Sequence, residues 1–277
     1  MTDSAQVQGA ASSACDVAAC DGALAALIED GEYDRLYRRW FGASPGSETH
    51  PYPPPGPRKS LPEPAGRWAR ILKRRTLRIG FAVLGPPFSA EVDGRVEGWD
   101  LDLAQALGRR MGRLYGVELM VESVRLPAAP FPAGLLEGLD EGRVDALLSD
   151  LAVTAQRARR VDFSAPYLRA TFGLLCRDSA VARRLHCLEA ADRPEVSLVV
   201  LRRAFLNELA DACLPRARRV WVDDPVDILP ALSSGQADAA LLPYASIRAF
   251  LRDRPGTACP EFSIGPGAVR AVAWPKS

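Results

Sequence analysis

Residues Gly142–Leu168 read GRVDALLSDLAVTAQRARRVDFSAPYL and carry the clearest structural pattern in the chain. The apolar run Val144–Ser149 predicts a buried strand. Thr154 predicts the start of a helix, because a threonine hydroxyl can accept a hydrogen bond from the free N–H groups of a first helical turn. The apolar run Tyr167–Cys176 predicts a second strand. Strands and helices that alternate in this way are typical of an α/β protein.

The residues before this stretch show the same alternation. Leu77–Ala82 and Val117–Val124 have the composition of strands. Gly98–Met111 has apolar residues at helical spacing, and Ala133–Gly142 reads as a short helix. Together with the strand at 144–149, this order predicts a parallel sheet with helices on both faces. We therefore expect residues 67–170 to form a first lobe.

The residues after the stretch predict a second lobe over 171–265, in which strands and helices alternate again. Residues 266–277 predict a strand that returns to the first lobe. Two α/β lobes joined by two crossing strands predict a hinged cleft, because ligands of open α/β sheets bind at the carboxyl ends of the strands.

The N-terminal region divides into three segments. Residues 1–20 are rich in alanine and serine and lack periodicity, which predicts disorder. Residues 21–42 predict two helices, broken at Gly31 and ended by Gly42. Residues 43–66 contain eight prolines and predict an extended linker.

Composition excludes several classes of function. A net charge of +1 gives no sign of a nucleic-acid-binding surface. No apolar run approaches the ~18–20 residues of a membrane span, and the N-terminus has no pattern of a secretory signal. No glycine-rich phosphate loop is present, and with two histidines and no C-x-x-C pair a zinc site is not expected. We expect no cofactor or metal, and the six cysteines read either as disulfides or as small buried apolar residues.

The 142–168 stretch resembles the signature of the family 3 extracellular solute-binding proteins, the amino-acid type of ABC-transporter receptor. It matches that family's G-R-x-D-A, T-x-x-R and D-F-S-x-P-Y segments, and residues 99–102 (WDLD) resemble its G-F-D-x-D-L-A segment. The resemblance is strong over the first lobe and fainter over 180–265. It implies a two-lobed type II periplasmic-binding-protein fold.

The order of the segments differs from that family. Residues 23–42, ALAALIEDGEYDRLYRRWFG, resemble the family's closing helices but precede its opening pattern at Leu77. This predicts a circularly permuted fold in which residues 43–66 join the original termini. The rival interpretation is a fragment of a tandem array. A permuted monomer should bury four side chains against the 77–150 lobe, namely Leu27, Leu36, Tyr37 and Trp40.

The resemblance also implies a set of ligand-binding residues in the first lobe. Arg157 occupies the T-x-x-R position whose arginine grips the ligand carboxylate, although it could instead cap carbonyls or pair with Asp162. Thr154 would cap the helix and could also contact the ligand. Phe88 would form an apolar wall of the site or belong to the core. Asp150 stands where the family often has a small residue, and it could bind a ligand cation or pair with Arg157.

The second lobe departs from the family pattern. Arg202 and Arg203 replace the family's Gly-Thr or Gly-Ser pair, which suits either a more anionic ligand or a solvated surface. Pro243 stands where the family has an aspartate for the ligand ammonium, and Tyr244 could supply a replacement hydroxyl. A charge-assisted hydrogen bond contributes about 1.5–3 kcal/mol, so its loss predicts a ligand other than a standard amino acid.

The preferred hypothesis is non-enzymatic binding of a small anionic or carboxylate solute in the cleft, for transport or sensing. It implies a monomer that can work with an ABC-transporter permease and a periplasmic location, although the missing signal leaves the cytoplasm open. One alternative is a degenerate fold used for protein interaction. A further alternative is an enzyme that resembles the cyclohexadienyl dehydratases, which share the fold.

Overall fold

The structure is a computed structural model that describes residues 3–42, 44–45, 61–202, 204–253 and 256–276 of the 277. Most of the predicted 43–66 linker therefore lies outside the described residues, as does Arg203. The chain divides into two compact units. Unit 1 comprises Met1–Leu84, Phe88–Arg169 and Val269–Ser277, and unit 2 comprises Gly85–Pro87 and Ala170–Ala268.

The described residues contain both helices and strands in alternation. The helices are α1 Asp3–Glu29, α2 Glu32–Phe41, α3 Gly66–Arg74, α4 Trp99–Leu114, α5 Ala133–Asp140, α6 Ala155–Ala158, α7 Ser179–Arg184, α8 Leu188–Ala191, α9 Ala204–Cys213, α10 Ile228–Ser233 and α11 Tyr244–Asp253. The strands are β1 Thr76–Phe81, β2 Ala90–Val92, β3 Arg95–Glu97, β4 Met120–Arg125, β5 Ala146–Leu147, β6 Val161–Phe163, β7 Leu168–Ala170, β8 Phe172–Cys176, β9 Ser197–Leu201, β10 Arg218–Val222, β11 Ala239–Pro243, β12 Ala268–Arg270 and β13 Ala273–Pro275.

Unit 1 is built on a five-stranded sheet in the order β4-β1-β5-β13-β6. Strand β1 pairs in parallel with both β4 and β5, which confirms the parallel sheet predicted from the alternation. Strand β13 pairs antiparallel with β5 and β6, so the last residues of the chain complete the sheet. The core beside this sheet is aliphatic and includes Leu135, Leu147 and Leu151.

The N-terminal segment corrects one prediction. Residues 1–20 were predicted to be disordered, but α1 begins at Asp3, and the side chains of Cys15, Ala19 and Cys20 are buried. Because these side chains are small, the sequence shows little apolar periodicity here. Alanine nevertheless has the highest helix propensity, and small side chains let α1 pack closely. The predicted break is confirmed, since Gly31 separates α1 from α2 with φ 71°.

Helices α1 and α2 pack against the rest of unit 1. Leu27 and Tyr37 are buried as expected for a docked segment, whereas Leu36 and Trp40 are only half-buried. The indole Nε1 of Trp40 donates a hydrogen bond to Asp102 at 2.9 Å.

An aromatic cluster forms where α2 meets α4. The ring of Trp99 lies edge-on to Tyr33, Tyr37 and Phe41, with centroid distances of 5.4, 5.6 and 5.2 Å. The cluster connects residues separated by about sixty positions in the sequence, so it holds the N-terminal helices on unit 1.

Unit 2 has a four-stranded sheet in the order β10-β9-β11-β8. The strands β10, β9 and β11 run parallel, and β8 pairs antiparallel with β11. Its core is aliphatic, with β9 and β11 buried along nearly their whole length. The chain leaves unit 1 in β7 and returns in β12, and these two strands pair with each other.

Two further observations concern sequence expectations. All six cysteines lie in the described part of the chain, and each is a free thiol. Among the described helices, none combines the length and apolar character needed to cross a bilayer.

Candidate functional site

Three of the predicted ligand residues of unit 1 lie after β5: Asp150 and Thr154 on the turn that joins β5 to α6, and Arg157 in α6. We call the group formed by Asp150, Ala152, Thr154, Arg157 and Arg270 the unit 1 site. Arg157 is only 7% exposed, and its Nη1 donates a hydrogen bond to the carbonyl oxygen of Ala152 at 2.7 Å. Its guanidinium carbon lies 5.9 Å from the centroid of the Phe131 ring. The cation is therefore held in a defined place by a carbonyl and an aromatic face.

Thr154 acts as the predicted cap of α6. Its Oγ1 accepts a hydrogen bond from the backbone N–H of Arg157 at 3.2 Å. This bond joins the cap directly to the residue whose side chain was predicted to bind the ligand. The capping role accounts for a threonine at this position, since the hydroxyl satisfies a free N–H of the first turn.

Asp150 forms an ion pair that the sequence did not reveal. Its Oδ1 accepts a hydrogen bond from Nε of Arg270 at 2.5 Å, and the two side chains are 12% and 4% exposed. Arg270 was not among the partners that the sequence suggested for Asp150, which were a ligand cation and Arg157. The backbone of Arg270 also bridges to Ala152, so β12 lies beside this turn.

Asp100 is buried close to this ion pair. Its carboxyl is 1% exposed, and neither oxygen has a hydrogen bond of standard geometry within the described residues. Burial, and then the charge of Asp150, raise the pKa of Asp100 well above its usual range, against the opposing effect of Arg270.

Phe88 belongs to the core of unit 1. It is 3% exposed, and its ring lies 6.0 Å from that of Phe41, next to the aromatic cluster. Core packing, which was the alternative to an apolar wall of the site, accounts for this residue.

Arg202, the predicted arginine of unit 2 that the structure describes, is not in a comparable arrangement. The side chain of Arg202 is 57% exposed, pairs with Asp223 at 3.3 Å and lies 5.3 Å from the ring centroid of Trp221. Arg202 therefore fits the alternative of a solvated surface residue, because an exposed ion pair of this kind contributes little to stability. Arg203 lies outside the described residues.

Tyr244 uses its hydroxyl within unit 2. The hydroxyl donates a hydrogen bond to the carbonyl oxygen of Phe262 at 2.6 Å. The ring is so close to Gly173 that a Cβ there would lie 2.8 Å from the Tyr244 Cζ. Tyr244 therefore holds the segment around Phe262 by a hydrogen bond and packs on β8, and both are structural contacts.

Sequence reasoning missed Arg270. It lies 120 residues after its partner Asp150, inside a segment that was read only as a returning strand. The available signal was a lone arginine in an otherwise apolar stretch, GAVRAVAWP, since a buried arginine requires a counter-ion.

Comparisons with known proteins identify the family of the chain. The profile of the bacterial extracellular solute-binding proteins, family 3, matches residues 77–183. A cyclohexadienyl dehydratase of Pseudomonas aeruginosa is 31% identical over 198 residues, which cover 70% of this chain and 68% of that protein. The L-cystine-binding protein of Escherichia coli is 29% identical over 99 residues, which cover 35% of this chain and 34% of that protein.

Solved structures give the same result for the fold. An ancestral amino-acid-binding protein, described as a precursor of cyclohexadienyl dehydratase, superposes with a TM-score of 0.63 at 26% identity, covering 76% of this chain and 86% of that one. The arginine-bound, truncated arginine-binding protein of T. maritima gives a TM-score of 0.58 at 26% identity, with coverage of 75% and 92%. The chain therefore belongs to the bacterial extracellular solute-binding proteins of family 3 and has their two-lobed, type II periplasmic-binding fold.

Proposed function

We propose that the chain binds a small solute that carries a carboxylate, without converting it, and that Arg157 is the anchoring residue. The observation that carries this proposal is the placement of the Arg157 guanidinium, which is buried and held by the Ala152 carbonyl and the Phe131 ring. A guanidinium presents a planar set of donors that matches the two oxygens of a carboxylate. Because the side chain is already ordered, binding requires less loss of conformational entropy.

The first test is a thermal-shift screen of the purified chain against amino acids, dicarboxylates and aromatic acids. One-site binding at a hundredfold excess over Kd should stabilise the folded state by about 2.7 kcal/mol. Isothermal titration calorimetry of each hit with the Arg157→Ala variant then tests the anchor. We expect Kd to rise by about tenfold or more, because a charge-assisted contact is lost.

Arg202→Ala is the matched control, because it removes an arginine from an exposed position in unit 2. It should leave Kd unchanged. Equal affinity of wild type and a folded Arg157→Ala variant would exclude Arg157 as the anchor. Absence of any shift across the panel would instead favour a role in protein interaction.

A transport or sensing role follows from membership in the family. Proteins of this family are described as extracellular, and one relative is an L-cystine-binding protein. We infer that this chain acts outside the cytoplasm and delivers its solute to an ABC-transporter permease. Co-purification with a permease after cross-linking would support this partner, and retention of the native protein in the cytoplasmic fraction would contradict the location.

A second candidate function is dehydration of a cyclohexadienyl acid. It is favoured by the 31% identity to a cyclohexadienyl dehydratase over 70% of this chain. Elimination needs a positioned acid or base, and Asp150 is a partly exposed carboxylate in the unit 1 site. Incubation with prephenate and arogenate, followed by absorbance of the aromatic product, tests this function. Turnover that is lost in Asp150→Asn would establish it, and stable substrate would exclude it.

We also propose that the fold is circularly permuted. Support comes from the docking of α1 and α2 on α4, and from the return of β13 to the unit 1 sheet. A variant that begins at residue 61 and carries residues 15–42 after its C-terminus should fold with the same secondary structure by circular dichroism. An unfolded product would count against the proposal.

A further inference from the structure

Strand β10 lies at one end of the unit 2 sheet, and within the described residues only β9 pairs with it. The strand at the other end, β8, has further partners on its outer side. Cys176 exchanges backbone hydrogen bonds of 2.7 and 3.1 Å with Ala258, and the carbonyl of Phe172 accepts one from Ile264 at 2.8 Å. In the described part of the chain, β10 is therefore the end of this sheet that can accept a strand from outside.

The bonds of β10 to β9 determine which backbone groups face outward. The N–H of Arg218 and the C=O of Val222 bond to the residues that flank β9, at 2.8 and 2.9 Å. Because backbone groups alternate in direction along a strand, Val220 also faces β9. The N–H and C=O groups of Arg219 and Trp221 therefore point away from the sheet.

The sequence of this edge is complementary to its own reverse. Residues 218–224 read RRVWVDD. In an antiparallel copy that places Trp221 opposite Trp221, Arg219 lies opposite Asp223, and Arg218 lies opposite Asp224. Charges on an edge strand usually discourage pairing, but their order here puts opposite charges directly across from each other, which stabilises an antiparallel pair.

The same register also satisfies the backbone. In an antiparallel pair, two residues that lie opposite each other either both form hydrogen bonds across the pair or both do not. Trp221 lies opposite its own copy, and Arg219 lies opposite Asp223, so outward-facing residues meet outward-facing residues. A shift by one residue would oppose an outward-facing residue to one that is bonded to β9. Charge and backbone geometry therefore select the same register.

The side chains that this register brings together are accessible. Asp223 is 80% exposed, and its ion pair with Arg202 at 3.3 Å lies at the surface, where such pairs contribute little. Arg219 pairs with Asp211 at 3.0 Å, and that carboxylate is also largely exposed. Both pairs can therefore be exchanged for partners on another chain.

Apolar surface is exposed at the same edge. Trp221 is 36% exposed, and Val226, which follows the strand, is 72% exposed. They are two of the four large apolar side chains that are exposed among the described residues. The guanidinium carbon of Arg219 lies 5.9 Å from the centroid of the Trp221 ring, on the face that Asp223 shares. A second copy of this edge would cover the ring and pair the charges around it.

We propose that two copies of this chain associate through β10, antiparallel and edge to edge about a twofold axis at Trp221, so that the two unit 2 sheets become one. A twofold contact suits a self-complementary strand, because each copy offers the other the same residues. The strand has five residues, so the contact is small and the dimer should be weak and dependent on concentration. This replaces the monomer that the family resemblance implied, and it does not depend on solute binding.

The first experiment is sedimentation equilibrium of the full chain from about 10 μM to about 1 mM. The wild-type protein should shift towards twice the mass of the chain as its concentration rises. Asp223→Arg places like charges opposite each other at both ends of the contact, and it should raise the dimer dissociation constant by about tenfold or more. Glu261→Arg is the matched control, because it makes the same change of charge at an exposed position of unit 2 away from β10. It should leave the dissociation constant unchanged.

A mixing experiment tests the pairing of charges directly. Arg219→Glu alone should also dissociate the dimer, because a carboxylate then lies opposite Asp223. In an equimolar mixture of Arg219→Glu and Asp223→Arg, opposite charges face each other at both ends, so a heterodimer should form although neither variant self-associates. Thermal melts establish that each variant is folded, since Arg219→Glu also loses the pair with Asp211.

A covalent trap tests the register without relying on the charge variants. Residues opposite each other in a hydrogen-bonded antiparallel pair have Cα atoms about 5.5 Å apart, a separation that a disulfide can bridge. Trp221→Cys should therefore form a cross-linked dimer under mild oxidation. Val226→Cys, which is more exposed but lies off the axis, is the control, and the wild-type chain gives the background from its own six thiols.

The outcomes decide the proposal independently of the proposed function. A wild-type chain that stays monomeric at every concentration would overturn it. A dimer that Asp223→Arg leaves intact would show that β10 is not the contact. Equal cross-linking of Trp221→Cys and Val226→Cys would overturn the register. In each case the thermal-shift and calorimetric tests of solute binding keep their own result.

Discussion

The arginines at the candidate positions of the two units differ in how deeply they are buried. In unit 1, Arg157 and Arg270 are buried and held by specific partners. In unit 2, Arg202 is largely exposed and stacks on a surface tryptophan. A buried cation interacts strongly with a ligand because little water screens it, whereas an exposed cation is screened. We therefore expect the binding chemistry of the described residues to lie in unit 1.

The largest expected effect distinguishes a buried tryptophan from an exposed one. Trp99→Ala should lower the free energy of unfolding of unit 1 by about 3–5 kcal/mol, because it removes the centre of the aromatic cluster. Trp221→Ala, in unit 2, should cost less than about 1 kcal/mol, since that ring is 36% exposed. Urea unfolding followed by circular dichroism measures both. Similar losses in the two variants would remove the contrast between the units.

A second test uses the opposite pKa shifts of two buried acids. Asp16 in α1 pairs with Arg67 at 2.9 Å, and burial, opposed by Arg67, raises its pKa from 3.8 to about 7. In unit 2, burial would raise the pKa of Asp238, but hydrogen bonds from Ser197 and the charge of Arg184 outweigh burial and lower it.

The signs of the two contributions to stability follow by linkage. Between about pH 4 and pH 7 the folded state binds more protons at Asp16 than the unfolded state does, so stability falls as the pH rises. The contribution of Asp238 is present above pH 3.8 and is lost as the pH falls through its lower folded pKa. Plots of Tm against pH from 3 to 8 should therefore become flatter at the neutral end in Asp16→Asn and at the acid end in Asp238→Asn. Parallel curves for the two variants would contradict this assignment.

The smallest expected change in stability comes from removing either of two tyrosine hydroxyls that each donate a hydrogen bond to a backbone carbonyl. Tyr33 in unit 1 donates to the carbonyl of Tyr167, and Tyr244 in unit 2 donates to that of Phe262, both at 2.6 Å. Tyr33→Phe should cost about 1–3 kcal/mol, because it leaves a buried carbonyl without this donor. Tyr244→Phe should cost about 0.5–1 kcal/mol, because that residue is half-buried and water can replace the bond. If thermal melts show a larger loss of stability for Tyr244→Phe than for Tyr33→Phe, burial does not determine the difference between the two variants.

Much of the fold could be predicted because its signals are local. Strand β1 and helix α4 follow from apolar periodicity, and the break at Gly31 follows from glycine's tolerance of positive φ. The strands predicted within 167–176 and 266–277 are each two strands in the structure, since Thr171 lies outside the strands β7 and β8, and residues 271–272 lie outside β12 and β13. The disorder predicted for residues 1–20 was wrong, because small buried residues have little apolar contrast.

Less of the candidate site could be predicted. The motif gave Thr154 as a helix cap, and it gave Arg157 either as the partner of the ligand carboxylate or as a structural arginine that caps carbonyls or pairs with Asp162. In the structure Thr154 caps α6 and Arg157 donates a hydrogen bond to the Ala152 carbonyl. The sequence left open whether Phe88 packs in the core and whether Arg202 lies in solvent, and it gave no sign that Tyr244 binds the Phe262 carbonyl. Side-chain type suggests what a residue can bind, but the neighbours that compete for it come from other segments.

The sequence by itself determined the α/β alternation, the family motif of residues 142–168 and the helical nature of residues 21–42. These properties depend on periodicity and capping within a few turns or strands of the chain. The tertiary structure alone decided that Asp150 pairs with Arg270, that Asp100 is buried close to them, and that α1 is ordered by docking. The Asp150–Arg270 pair joins residues 120 positions apart, and its strength depends on burial, which exists only once the chain has folded.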